Sequence, residues 1–141
     1  MADSQKYEAL NSDDLDRITK MREWVIGHYD DPDAYQSVSG KLRVIQTILE
    51  NKWVEVDETI KLQSLGIAFG DALEQEVHEL EWIIVEDEDG RDPALRWRDT
   101  SVLTFPQTAI SKRLEEGKEV DVYEMFGGFL KILNDAVKEA S

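Results

Sequence analysis

The spacing of apolar residues changes near Leu80, and this change constrains the fold more than any other feature of the 141-residue chain. Before this point apolar residues recur every three or four positions, which indicates amphipathic α-helices. From Trp82 to Val85 they are consecutive, which is typical of a strand buried on both faces. After Pro106 the helical spacing returns. Helices and strands in separate runs predict an α+β fold rather than an alternating α/β fold.

The pattern predicts three N-terminal helices, a three-stranded antiparallel meander and two C-terminal helices, in one α+β domain over residues 11–141. Residues 1–10 are polar and are predicted to form a flexible lead-in. Ser12 is the predicted N-cap of the first helix, which ends near Tyr29, and Asp57 is the predicted N-cap of the third. The predicted strands are Trp82–Val85, Ala94–Arg98 and Ser101–Phe105.

The last helix is predicted to begin after a cap at Asp121 and to bury an apolar stripe. Gly127 and Gly128 interrupt its middle, where each glycine costs about 1 kcal/mol relative to alanine. We therefore expect either a close neighbour or a bend at this point. The stripe comprises Val122, Phe126, Phe129, Leu130, Leu133 and Val137.

Two registers are possible between the second and third predicted strands. A three-residue link places Leu95 opposite Phe105, with their side chains on one face. A two-residue link places Leu103 opposite Arg96, away from the predicted core. Because a shift of one residue exchanges the two faces of a strand, burial favours the three-residue link.

The chain carries 31 acidic and 16 basic residues, which gives a formal net charge of −15. Affinity for nucleic acid comes mainly from Lys and Arg, so this charge argues against a nucleic-acid partner. It argues equally against an anionic membrane surface. No apolar run is long enough to span a bilayer, the N-terminus lacks the apolar segment of a secretory signal, and cysteine is absent. We expect a cytoplasmic protein.

The sequence contains no recognisable catalytic, metal-binding or cofactor-binding motif, and we predict no cofactor and no metal. The nucleophile elbow G-x-S-x-G, the dinucleotide fingerprint and the P-loop are missing. The acidic segment at 86–92 fails the EF-hand pattern, since Val85 and Arg96 would occupy its first and last ligand positions. His78, near Glu74 and Glu81, is the one candidate for a catalytic base, and its place at a helix end also explains it.

A basic segment interrupts the acidic chain. Between Arg91 and Arg113 there are five basic and two acidic residues, a local net charge of +3. These side chains are candidates for binding an anion or an acidic partner through guanidinium contacts, or they balance the protein's own carboxylates. The candidates are Arg91, Arg96, Arg98, Lys112 and Arg113.

Three further residues are candidates for an interface. Trp24 lies off the main apolar stripe of the first helix, where it either covers an edge of the core or marks an interaction surface, since tryptophan is enriched at interfaces. Gly66 and Gly70, four residues apart, allow another backbone to approach. Because Asp71 and other charged residues share their helix, packing inside a soluble core is the favoured interpretation of the glycines.

Three blocks of the chain resemble the bacterial domain-of-unknown-function 3806 family. They are Lys61–Leu73, Glu81–Arg96 and the stretch from Phe105-Pro106 through Ile110–Arg113 to Glu116-Gly117. The resemblance extends over about residues 62–126. It implies a small soluble bacterial protein and transfers neither an activity nor a catalytic residue to this chain.

Two functional hypotheses follow. The first is a non-enzymatic binding module that holds a protein or a small anionic ligand on the Arg96/Arg98 face, or in a groove beside Lys112 and Arg113. The alternative is an acidic inhibitor or immunity-type protein that neutralises a basic partner, since complementary charge accelerates association. An enzyme that uses His78 and nearby carboxylates is a third.

Overall fold

The computed structural model describes residues 6–28, 32–88 and 90–140. The first helix packs on the third, which also contacts the second and fifth helices and one face of an antiparallel sheet. The elements are β1 (Lys6–Glu8), α1 (Ser12–Ile26), a 3₁₀ helix (Pro32–Gln36), α2 (Val38–Glu50), α3 (Thr59–Glu76), β2 (Leu80–Asp87), β3 (Gly90–Trp97), β4 (Leu103–Thr104), a 3₁₀ helix (Pro106–Thr108), α4 (Ala109–Glu115) and α5 (Val122–Ala140).

The predicted α+β class is confirmed, and the sheet has one strand more than the predicted three-stranded meander. Over the described ranges the sheet has four strands in the order β1-β2-β3-β4. Residues 6–8, within the segment predicted as a flexible lead-in, form β1 and pair antiparallel with β2, with Tyr7 opposite Val85. The alternation in this strand spans only three residues, too few for a pattern to reveal it.

The predicted register between β3 and β4 is also wrong. Arg96 lies opposite Leu103, and Leu95 lies opposite Thr104, as the two-residue link requires. The reason is that the sheet has apolar residues on both faces. Leu103 packs against a second cluster formed by Ile83, Val85 and Ala94 on the face away from the main core, so its burial does not require the three-residue link.

Helix α3 forms the centre of the main core. Its residues from Ser64 to Leu73 are all buried, because the helix has neighbours on every side. Phe69 lies edge-on to Phe126 and Phe129 of α5, with ring centroids 6.0 and 5.1 Å apart. The sheet contributes Leu80 and Leu95 to this core.

The helix starts differ from prediction by one residue. Asn11 caps α1, because its side chain accepts the Asp14 backbone N–H while the Asp14 carboxylate accepts the Asn11 N–H. Glu58 precedes α3 in place of Asp57, without a side-chain capping bond. Helix α1 ends at Ile26, and Tyr29 lies outside the described residues. In the described part of the chain, no helix has the length and hydropathy to cross a membrane.

Candidate functional site

An open groove of about 1230 Å³ lies between the C-terminal end of α2, the loop that follows it, the end of α4 and the first three turns of α5. We call it the α2–α5 groove. It is lined by apolar side chains from α2, the loop and α5, and by charged side chains from all four segments. The apolar lining residues include Leu49, Val54, Val56, Met125, Phe129 and Ile132.

Gln46 holds the two helical walls of the groove together. Its Oε1 accepts the backbone N–H of Val122 at 2.8 Å, and its Nε2 donates to the carbonyl of Val120 at 3.4 Å. The predicted cap of α5 is confirmed, since Asp121 Oδ1 accepts the backbone N–H groups of Tyr123 and Glu124. The start of α5 is therefore fixed relative to α2.

The apolar lining is partly open to solvent. Ile132 on α5 is 68% exposed, and Val56 on the opposite loop is 52% exposed. Trp53, next to the groove residues Lys52 and Val54, is 53% exposed. Large apolar side chains clustered at one concave surface are typical of an interaction site rather than of scattered surface residues.

Charges line the groove unequally. Five carboxylates face three cations, and Lys118 is already paired with Glu116 at 2.8 Å. Within the described ranges, Lys52 and Arg113 form no ion pair shorter than 4.0 Å. The groove is therefore lined by both apolar and charged side chains, and carboxylates predominate among the charged ones. The carboxylates are Glu50, Glu55, Glu119, Asp121 and Glu124.

The five basic candidates do not form one surface. Arg91 lies on the inner side of the sheet and pairs with Glu8 and with Asp14, at 2.7 Å from the latter. Arg98 pairs with Glu81 at 3.2 Å. Both arginines balance carboxylates of this chain, which is the second interpretation of the basic segment.

Arg96 lies opposite Glu81 on the outer side of the sheet, and its guanidinium lies 5.8 Å from the ring centre of Tyr7. Lys112 and Arg113 are exposed on α4, and only Arg113 lines the groove. Arg113 therefore lines the α2–α5 groove, and Arg91, already paired with Asp14, lines a smaller cavity of about 300 Å³ by Pro93. The other three candidates line neither cavity.

The two candidate interface glycines are buried inside the fold. A Cβ on Gly66 would overlap the carbonyl oxygens of Gln107 and Pro106, and one on Gly70 would overlap the ring of Trp82. The backbone that approaches is therefore that of the same chain, so these glycines are not an exposed interface. Trp24 is half-buried against the core, with its ring 4.5 Å from that of His28.

Sequence reasoning missed a buried polar cluster around Asp71. This carboxylate accepts two hydrogen bonds from Arg22, at 2.6 and 2.9 Å, one from the Tyr35 hydroxyl at 2.6 Å and one from Trp82 Nε1 at 3.0 Å. The hydrogen bonds from Arg22 to Asp71 raise the pKa of Arg22, although its burial acts to lower it. The available signal was a single carboxylate on the buried side of α3, which requires buried donors.

Two further ionisable groups lie near this cluster. Burial lowers the pKa of Lys41, whose Nζ donates to Gln75 Oε1 at 2.6 Å and lies 4.8 Å from the Tyr35 ring centre. Burial raises the pKa of Glu74, and the neighbouring Asp71 adds to that effect. Because none of these groups lines the α2–α5 groove or the smaller cavity by Pro93, we assign the cluster a structural role.

The one candidate for a catalytic base lies away from both cavities. His78 is exposed in the turn between α3 and β2, and it lines neither cavity. A group of three His, Asp or Glu side chains able to hold a metal ion is absent from residues 6–28, 32–88 and 90–140.

The Arg91 ion pairs predict a pH dependence of stability. Asp14 is only 2% exposed, and burial acts to raise its pKa. The Asn11 N–H, Arg91 and Arg17 outweigh that effect and hold the pKa of Asp14 below its ordinary value. A carboxylate with a lowered pKa in the folded state stabilises the fold above its unfolded-state pKa, and this contribution is lost as pH falls through the folded-state pKa.

We therefore expect Asp14→Asn to lower the melting temperature near pH 7, and the difference from the wild type to shrink below about pH 4. Thermal unfolding monitored by circular dichroism across this range measures both effects. Asp16→Asn, an exposed carboxylate of the same helix, is the control and should change little. A constant difference at all pH values would contradict the role of Asp14.

Comparison with solved structures identifies the fold. The chain is similar to a crystal structure from Bacteroides thetaiotaomicron VPI-5482 at 1.50 Å resolution, with 16% sequence identity and a TM-score of 0.74. The match covers 89% of this chain and 47% of that chain. The two share a fold, and this chain spans about half the length of that protein. No curated protein matches the sequence.

A family model, described as a domain of unknown function (DUF3806), matches residues 41–126. This range contains most of α2, all of α3, the strands β2 to β4, α4 and the first turn of α5. It includes both ends of the Gln46 contact with α5, while Gly128 and Ile132 of the groove lie beyond it. Since more than half of the sequence matches, the resemblance is confirmed, and the chain belongs to the DUF3806 family.

Proposed function

We propose that the chain is a non-enzymatic binding module that holds a segment of a partner protein in the α2–α5 groove. The observation that carries this proposal is the groove itself, a cavity of about 1230 Å³ with partly exposed apolar side chains in its lining. Burial of such side chains against a partner contributes about 25 cal/mol for each Å² of apolar area removed from water.

The dimensions of the groove favour a protein segment over a small anionic ligand. Pockets for small molecules have volumes of about 300–1,000 Å³, and this groove is larger. Its α5 wall extends from Asp121 to Ile132, which is about 17 Å at about 1.5 Å per residue. That length accommodates about three turns of a helix.

The charges favour a basic partner. The excess of carboxylates over cations around the groove would repel an acidic segment and attract one with Lys or Arg beside its apolar residues. The net charge of −15 adds long-range attraction for the same class of partner. Arg113 and Lys52 are then available to pair with occasional acidic residues of that segment.

A second candidate is an acidic inhibitor or immunity-type protein that neutralises a basic enzyme. The five carboxylates of the groove favour this candidate as well. The two candidates differ in their dependence on salt. Purely electrostatic association is lost in about 1 M salt, where the Debye length is about 3 Å, whereas apolar contacts in the groove persist.

The test uses a synthetic peptide of about 14 residues, with leucines at helical spacing and lysines elsewhere. We expect it to bind, with its contacts mapped to the groove by amide chemical shifts and its Kd measured by calorimetry. Ile132→Gln should weaken binding about fivefold, since roughly 1 kcal/mol of apolar burial is lost. Ile60→Gln is the matched control, because Ile60 is 70% exposed and does not line the groove.

A scrambled peptide of the same composition controls for attraction by charge alone. Equal binding of the scrambled peptide, or equal effects of the two glutamine substitutions, would contradict the groove as the site. If the protein self-associates and Ile132→Gln abolishes this self-association, the groove binds a second copy of the chain. That result would also contradict the proposal. Binding that disappears in about 1 M salt would favour the electrostatic inhibitor.

A further inference from the structure

We infer that the segment bound in the α2–α5 groove is an α-helix that crosses α5 at Gly128; this inference rests on the proposed function. Gly128 lines the groove, one turn from Glu124 and one turn from Ile132. Glu124 and Ile132 line the groove as well, so the missing side chain leaves a depression in the α5 wall between them. A helix that passes over this depression can approach the α5 backbone closely.

The glycines of α5 have no role inside the chain that would explain them. A Cβ placed on Gly127 or Gly128 would have no heavy atom of the described chain within 4 Å, apart from its chain neighbours and the nearby backbone of α5. The glycines of α3 differ in this respect, because Gly66 and Gly70 are in contact with Gln107 and Trp82. Since glycine is among the least favourable residues in a helix interior, an open glycine in α5 weakens the helix without any gain in intramolecular packing.

The groove favours a helical segment over an extended one. Its lining residues lie on α2, α4, α5 and the adjoining loops, and none of the described lining residues lies on a strand. An extended segment would find no strand edge there with which to pair its backbone, whereas a helix satisfies its own N–H and C=O groups. Packed helix axes lie about 8–10 Å apart, and small residues at the crossing permit the shorter distances.

The neighbouring side chains complete the crossing. Met125, Phe129 and Ile132 all line the groove; Met125 is buried, Phe129 is half-buried and Ile132 is exposed. An apolar stripe on the incoming helix would contact these three residues. Glu124 and Asp121, toward the start of α5, would then face basic residues that flank the stripe.

The test compares Gly128→Ala with Gly127→Ala, using the leucine-lysine peptide described above. Both positions are open in the free protein, so each substitution should raise the melting temperature by a few degrees. Only Gly128 lines the groove. We therefore expect Gly128→Ala to weaken peptide binding at least about fivefold, as overpacking at a contact does, and Gly127→Ala to leave the Kd unchanged.

A second peptide with proline at its centre separates helical from extended binding. We expect it to bind far more weakly, because proline disrupts the helix. Equal binding of the proline peptide, or an unchanged Kd for Gly128→Ala, would overturn the inference while the proposed function stands. If the original peptide shows no binding to the wild type, the proposed function fails and this inference fails with it.

Discussion

Replacing Asp71 with alanine is expected to lower the free energy of unfolding by about 3–5 kcal/mol, as loss of one partner of a buried ion pair does. Asp71 is only 6% exposed, and three side chains donate hydrogen bonds to its carboxylate. Without the carboxylate, the Arg22 guanidinium loses its counter-ion, and Trp82 Nε1 loses its acceptor. Each group left without a partner adds a desolvation penalty.

Urea unfolding followed by tryptophan fluorescence measures this effect, and Asp135→Ala is the matched control. Asp135 also belongs to an ion pair, with Lys131 at 2.9 Å, but both side chains are largely exposed. Such pairs contribute less than about 1 kcal/mol. Equal losses of unfolding free energy in the two variants would show that burial does not strengthen the contribution of the Asp71 ion pair.

Because small domains are stable by only about 5–15 kcal/mol, Asp71→Ala could prevent folding altogether. Tyr35→Phe provides a milder test of the same cluster. It removes the hydroxyl that donates to Asp71 at 2.6 Å and leaves Arg22 and Trp82 in place. A loss of about 1 kcal/mol is expected, and no loss would contradict the contribution of this bond.

Gly66→Ala is expected to destabilise the protein by about 3 kcal/mol, the upper end of the usual cost of overpacking, whereas Gly127→Ala should stabilise it by about 1 kcal/mol. Both residues lie in helix interiors, so their helix propensities change equally. They differ in the room that is available for a Cβ atom. A Cβ on Gly66 would lie 2.5 Å from the carbonyl oxygen of Pro106 and closer still to that of Gln107, and these backbone atoms cannot move independently.

Chemical denaturation of both variants measures the contrast in sign. Gly70→Ala is expected to fall between them, because its Cβ would displace the Trp82 ring, 2.5 Å from Cζ2, rather than backbone. The shift of that ring should weaken its bond to Asp71, so the effects of Gly70→Ala and Tyr35→Phe should not be additive. A Gly66→Ala variant as stable as the wild type would contradict the close packing of α3.

Much of the fold was predictable, because the spacing of apolar residues along a short stretch of sequence indicates whether that stretch forms a helix or a strand. The change near Leu80 predicted separate helical and strand regions, and the stripe of α5 predicted the face that packs on Phe69. Asp121 was recognised as a cap because capping depends on residues two and three positions away. These features all arise from interactions between near neighbours in the sequence.

The candidate site was only partly predictable. A groove beside Arg113 is one of the locations that the sequence predicts. Its lining, however, combines α2 and the following loop with α5, which lies about 70 residues later in the chain. The basic segment was expected to supply one surface. In the structure the basic residues of this segment lie on both faces of the sheet, because alternate strand residues point to opposite faces. Arg91 contacts Asp14 on the inner face, and Arg96 lies over Tyr7 on the outer one.

The sequence by itself determined the α+β class, the order of the main helices and strands and the acidic character of the surface, because periodicity and composition are local properties. Only the tertiary structure decided the pairing of β1, the register of β4, the partners of Asp71 and the difference between Gly66 and Gly128. Each of these depends on what a distant part of the chain brings alongside. A glycine is the same residue in α3 and α5. Only its neighbours in space determine whether another part of the chain packs against it, as at Gly66, or the space beside it stays open, as at Gly128.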